Sequence, residues 1–368
     1  MTPVQVRGRA ERLLAMLDER GLEQMMVSDR SNIRWLTGFS GSAGVLIVSK
    51  RGHQFITDGR YTDQARDQLD SSGATDIDVV TARTLADRNL AISAAASESP
   101  LGAEASIVPQ GEWSSLSAHA ELVAADGLLG QLRRTKDESE IALIAKAAKI
   151  ASEALSEVAP MLVAGVSERE IRDELEYRMR KLGADGPSYE TIVASGPTNA
   201  ALPHARPTAR RIEDGDMVVI DVGALVDGYH SDMTRTFVVD GPSDEQQRWY
   251  DLVLASQAAG LQTVSEGVCV SDVDRTCRSV FEDAGLADLF VHGTGHGVGL
   301  DIHEEPFLGS SATAELMAGD VVTVEPGLYR VGTGGIRIED LVVVTSDGHR
   351  NLTTHPKDTP CPPSPRTI

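Results

Sequence analysis

Basic residues are scarce in this chain: 34 Lys and Arg against 55 Asp and Glu leave a formal charge of -21 over 368 residues. Nucleic acids and anionic bilayers each need a basic face, so this imbalance excludes both as partners. Long apolar runs are missing too, and nothing approaches the roughly 20 residues that cross a bilayer. Met1 to Gly21 shows no apolar core ahead of a small-residue cleavage site. It reads instead as an amphipathic helix with Leu13, Leu14, Met16 and Leu17 along one face. Cysteine is limited to Cys269, Cys277 and Cys361, an odd number with no Cys-x-x-Cys pair. That excludes a disulfide framework and predicts buried, inert thiols. Sequence repeats and low-complexity tracts are also absent. These absences together predict a cytoplasmic protein.

What is present suffices for two domains, since 41% of the residues are hydrophobic. Residues 1–132 predict a small α/β domain, with strands at 25–27, 44–48, 54–57 and 77–80 and helices at 61–69 and 85–96. The texture changes near Gln131. Thr135 with Glu138 reads as a capping box opening a long helix to about Pro160. Ser167 with Glu170 and Ser243 with Gln246 open two more helices, and Ser271 with Asp274 is a weaker form of the same signal. After Gly186 strands dominate, so residues 133–355 predict an α+β domain in which long helices cover an antiparallel sheet. The Pro- and Ser-rich residues 356–368 predict a flexible tail.

Chemistry concentrates between Asp221 and Glu339. Asp227-Gly228 between two strand-like runs predicts a hairpin. A two-residue loop sets Gly223 opposite Asp232 and Asp221 diagonal to it, within about 7–8 Å at the backbone. Asp221 interrupts an apolar strand, and a buried carboxylate there needs a counter-charge. A second apolar strand, from Val321, ends on Glu325 before Pro326-Gly327. In the strand from Gly335, Arg337 and Glu339 share one side and Ile336 and Ile338 the other. An arginine so placed predicts a clamp on the neighbouring carboxylate; the bland alternative is an ordinary cross-strand ion pair. Between these acidic pairs lie His292, His296 and His303, with glycines at 293, 295, 297 and 299 that are expected to turn the backbone sharply around the histidines. The glycine spacing fits no dinucleotide fingerprint, and His303-Glu304 lacks the second histidine of a zincin helix. Four carboxylates and one imidazole converging on one spot call for two divalent cations. His204, set between prolines in the loop from Ser195, is weak evidence taken alone. His53, His119, His349 and His355 read as surface residues, and Tyr229 and His230 as support for the hairpin.

The motifs Ala201–Thr208, Ile220–Ala224, Gly228–Arg235, His292–Gly299, Val324–Gly327 and Gly335–Asp340 resemble those of the pita-bread metallopeptidases, family M24. The match is with the Xaa-Pro aminopeptidase and Xaa-Pro dipeptidase (prolidase) branch. Asn32–Ser42 and Asp58–Tyr61 resemble its creatinase-type N-terminal domain. The resemblance implies a dinuclear exopeptidase that cleaves Xaa-Pro bonds through a hydroxide shared by two metals. Manganese leads, with cobalt, zinc or iron as alternatives. Asp221 would chelate one ion, Asp232 and Glu339 would bridge both, and His296 with Glu325 would complete the other shell. Glu325 is the implied proton shuttle. His292 and His303 would hydrogen-bond the substrate, His204 would grip it from above, and Arg337 would fix the bridging carboxylate or the far end of the substrate. Short peptides with proline in second position are the implied partners, a homodimer the implied assembly, and the N-terminal domain, from the same or a second subunit, the implied cap of the cleft. A non-catalytic peptide-binding protein on the same fold and a methionine-aminopeptidase-like specificity are the competing readings.

Overall fold

The computed structural model describes residues 4–96 and 99–363. The chain divides after Arg133 into two compact units. In the first, strands at Gln24–Val27, Val45–Ser49, His53–Thr57 and Ile77–Thr81 occur where the apolar runs predict them. Leu101–Ala103 and Leu122–Ala124, too short to announce themselves, complete a mixed six-stranded sheet. The buried carboxylate of Glu104 takes the backbone N–H groups of Ser28 (2.6 Å) and Asp29 (2.8 Å) and so fixes the turn into the helix Arg30–Thr37.

The second unit repeats one plan. Helices Glu138–Val158 and Glu168–Lys181 precede an antiparallel sheet ordered Thr234–Val238, Met217–Asp221, Ile192–Ser195. Helices Asp244–Thr263 and Val270–Asp283 then precede a five-stranded antiparallel sheet ordered Glu304–Leu308, Gly295–Gly297, Val321–Val324, Asp340–Thr345, Gly348–Asn351. The apolar sides of the second helix pair and its strands form one core around Val253, Val273, Phe281, Val324 and Ile338. Among the described residues no helix is long and apolar enough to cross a membrane.

The four long helices of the second unit start within two residues of the expected capping signals. Ser167 with Glu170 and Ser243 with Gln246 form the expected reciprocal boxes. The first box is Asp137 with Glu140, two residues beyond the expected pair, because Thr135 is drawn into a bridge with Asp320. Asp137→Ala removes an acceptor for Ser139 and Glu140 and is expected to cost about 1 kcal/mol in a urea titration. Ser271 caps nothing. The helix there starts at Val270 without a side-chain cap, and Asp274 turns inward to Arg278 and Thr294.

Three further expectations need correction. Residues 356–363 are not loose: Lys357 pairs with buried Asp340, Tyr250 donates to the Lys357 and Thr359 carbonyls, and Val238 N–H donates to Pro360. Residues 364–368 lie outside the described residues. Only Cys277 of the three thiols is buried, where desolvation pushes it up to about 12; Cys269 is half-buried and Cys361, on the docked C-terminal segment, is exposed. His53 is buried beside Asp76, and His355 is half-buried against Phe237, its pKa pushed down to about 4 by burial.

Candidate metal centre

The hairpin fixes the first two carboxylates. Asp227 and Gly228 take φ of 47° and 75°, the paired left-handed values of a tight hairpin turn. Its register puts Val226 opposite Tyr229 and Asp221 opposite Thr234, so Gly223 falls opposite Asp232. A Cβ on Gly223 would sit 1.8 Å from the Ser231 carbonyl oxygen, so only glycine permits this approach. Asp221 and Asp232 then converge on the Tyr189 hydroxyl, whose oxygen lies within hydrogen-bond reach of one oxygen of each.

Glu325 and Glu339 arrive from strand ends. Val321–Val324 stops before Pro326, leaving the Glu325 side chain 17% exposed at the cleft floor. Ile336 and Ile338 point into the core, which sends Arg337 and Glu339 the other way. His296 lies on Gly295–Gly297. The glycines there do not turn the chain, since none of residues 293, 295, 297 or 299 has positive φ. They permit contact instead: a Cβ on Gly295 would lie 2.0 Å from the Thr323 carbonyl oxygen, and one on Gly297 would lie 2.3 Å from that of Glu305.

The donor set fits a cation. Ligand atoms of Asp232, His296 and Glu339 lie within 4.8 Å of one another. His296 Nδ1 is 3.0 Å from the Gly297 carbonyl oxygen, so Nδ1 carries the proton. Nε2 then faces Asp232 Oδ2 and Glu325 Oε1, each at 3.5 Å, which turns the second ring nitrogen toward the carboxylates with which it would share a cation. Glu339 Oε2 accepts from Thr234 at 2.6 Å, while buried Oε1 has no partner among the described residues. Burial, followed by the neighbouring carboxylates, holds Asp232 and Glu339 well above the ordinary carboxylate range. Tyr189 is driven up by burial and then by Asp221 and Asp232.

Arg337 is buried at 3% exposure. It donates to Asp221 Oδ2 (2.7 Å), Tyr329 Oη (2.8 Å), the Pro203 carbonyl (2.9 Å) and Thr234 Oγ1 (3.0 Å). Burial works against its charge, but Tyr329, Asp221 and Glu325 outweigh it and its pKa rises. The expected clamp on Glu339 is therefore corrected. The guanidinium extends across the sheet to Asp221, and Glu339 is held by Thr234.

The centre floors a cleft of about 500 Å³ whose walls include His204, His292, His303 and Phe307. His292 shares Nε2 with Tyr329 Oη at 3.1 Å and Nδ1 with the Gly293 carbonyl at 2.8 Å. His303 packs edge-on against His296, ring centroids 4.4 Å apart. Burial lowers both His292 and His303, which favours neutral rings.

Metallopeptidase family M24 matches residues 142–346, and the creatinase/prolidase N-terminal domain matches residues 9–135. The chain belongs to metallopeptidase family M24. A family of metallopeptidases implies divalent cations, and the acidic cluster supplies a group able to hold them. An Xaa-Pro dipeptidase from Bacillus anthracis superposes with a TM-score of 0.92 at 37% identity, covering 96% of this chain and 99% of that one. An X-Pro aminopeptidase from Thermotoga maritima gives 0.86 at 34% identity, covering 95% and 99%. An Xaa-Pro dipeptidase from Pyrococcus horikoshii is 32% identical over 350 residues, 94% of this chain and 96% of that protein. The fold expectation, a pita-bread catalytic domain behind a creatinase-type N-terminal domain, therefore holds. Within this M24 site, sequence reasoning missed Tyr189, Thr234 and Tyr329. A tyrosine after Gly-Pro-Ser and a threonine two residues past Asp232 carry no pattern pointing to a metal centre.

Proposed function

We propose that this M24 chain is an exopeptidase that hydrolyses the bond between an N-terminal residue and proline, in dipeptides or at the head of longer peptides. The observation that carries the reading is the gathering of four carboxylates and one imidazole beneath the cleft, with Glu339 Oε1 buried and unbonded. Asp221 would hold one divalent cation, His296 and Glu325 the other, and Asp232 and Glu339 both. Oxygen-rich ligation with one imidazole suits manganese first, then cobalt, zinc or iron. When bound, such a pair makes water nucleophilic at neutral pH and polarises the scissile carbonyl.

The remaining work belongs to the chain. An Xaa-Pro bond is a tertiary amide, so the departing nitrogen must be given a proton. Glu325, the least buried of the acidic group, takes one from the attacking water and passes it to that nitrogen. His303 donates a hydrogen bond to the carbonyl oxygen as negative charge develops there. His292, beside Tyr329, steadies the leaving imino group, and His204 closes over the scissile bond from the cleft rim. Arg337 holds Asp221 in one orientation. A homodimer belongs to the same reading.

The test is hydrolysis of Ala-Pro and Ala-Pro-Ala by chelated protein before and after manganese addition. Metal-dependent release of alanine from either supports the reading. Cleavage of Met-Ala-Ser alone moves the chain to a methionine-aminopeptidase specificity, and cleavage of none makes it a binding protein. His204→Ala is expected to lower kcat/KM by about 10–100-fold with manganese content unchanged, the range of a lost positioning contact.

A further inference from the structure

His204 stands on a loop whose shape has to be imposed from outside, because its imidazole forms no hydrogen bond with the described residues. Among the contacts that hold that loop, two stand out because they grip the residue before His204 and both ends of the segment. One is Arg337, which grips the Pro203 carbonyl from inside the site. The other lies outside the cleft, in the first turn of the helix Glu168–Lys181. Glu168 is fully buried and belongs neither to the metal cluster nor to the cleft wall. Its Oε1 accepts from Ser195 N (2.7 Å), Ser195 Oγ (2.7 Å) and Asn199 Nδ2 (2.9 Å). Its Oε2 accepts from Asn199 Nδ2 (2.8 Å), Thr208 N (2.8 Å) and Thr208 Oγ1 (2.7 Å).

One carboxylate thus ties both ends of the segment Ser195–Thr208 and a residue within it. A buried anion so fully supplied with donors is a rigid anchor, since any movement of the loop leaves a charge unsatisfied. Ser195 Oγ also accepts from Arg210 Nη1 at 2.8 Å, and Arg210 is itself paired with Asp216, so the anchor is braced from behind. We propose that Glu168 is a positioning residue whose carboxylate sets the place of His204 over the metal centre. The proposal rests on the peptidase reading for the role of His204, but not for the clamp itself.

Glu168→Gln replaces one acceptor oxygen by a donor and opposes two or three of the six hydrogen bonds. With Ala-Pro-Ala and manganese, the variant is expected to lose about 10–100-fold in kcat/KM while retaining wild-type manganese stoichiometry. Amide hydrogen exchange over residues 196–208 should accelerate at least about tenfold, with the metal-bearing strands unchanged. In a His204→Ala background the same substitution should change kcat/KM by less than about threefold, because its effect passes through that imidazole. Full multiplication of the two losses, unchanged loop exchange, or loss of bound manganese would each overturn the proposal. Should Glu168→Gln not fold, Ser195→Ala and Thr208→Val each remove one hydroxyl donor and must show the same pattern at about threefold. If the wild type cleaves no Xaa-Pro peptide, the peptidase reading falls, and the exchange rates of 196–208 still decide the clamp.

Discussion

Asp232→Asn is expected to lower kcat/KM by about 1,000-fold or more, roughly 4 kcal/mol of transition-state stabilisation, while making the metal-free protein more resistant to heat. The two effects share one cause. Asp232 lies among Asp221, Glu325, Glu339 and His296, and burial with those carboxylates raises its pKa well above the ordinary value. A carboxyl whose folded pKa exceeds its unfolded one holds a proton that the unfolded chain has released. Its contribution to stability is complete below the unfolded pKa and is lost as pH rises through the folded one. Metal-free protein should therefore lose stability as pH climbs above the ordinary carboxylate range, and Glu339, raised for the same reasons, acts in the same direction. An asparagine removes one repelling charge and flattens that slope. Cations need the deprotonated ligands, so manganese affinity rises with pH and the loaded protein shows the opposite trend. Thermal unfolding across pH 5 to 8, with chelator and with manganese, reads both slopes. Parallel slopes in the two conditions would contradict the electrostatic account.

Arg337→Met is expected to destabilise the protein by about 3–5 kcal/mol, the usual cost of removing one partner from a buried ion pair. In a domain of this size that lowers the melting temperature by about 10 °C. The methionine fills much of the volume but leaves Asp221, the Tyr329 hydroxyl and the Pro203 carbonyl without their donor. Manganese should restore part of the loss, because a cation at Asp221 supplies the missing positive charge. Arg337→Lys keeps the charge but cannot reach Asp221, Pro203 and Thr234 at once, so it should fall between the two. A methionine variant as stable as the wild type would show that Asp221 is not held by this guanidinium.

The convergence of the candidate ligands was legible where one short-range rule fixed geometry. The Asp227-Gly228 turn dictates the register, and the register brings Asp221 and Asp232 together. Strand alternation aims Arg337 and Glu339 to one side, and Pro326 ends the strand that delivers Glu325. What stayed hidden depends on contacts between distant segments. Tyr189 reaches Asp221 and Asp232 from 32 and 43 positions away, and Arg337 spans 134 positions to Pro203. No local pattern records such distances. The glycines around His296 illustrate a different failure. Their spacing suggests turns, yet Gly295 and Gly297 serve as strand positions against neighbouring carbonyls, a use that only the packed sheet reveals. The Thr135 box was misplaced because Asp137 and Glu140 satisfy the same rule two residues later, and the Thr135–Asp320 bridge decides between them.

Calorimetric titration of chelated protein with manganese tests the central claim most directly. Two equivalents bound per chain, falling to one or none in Asp232→Asn, is the expected result. A single equivalent in the wild type, or two equivalents undiminished in Asp232→Asn, would contradict a pair of cations held in common by Asp232 and Glu339.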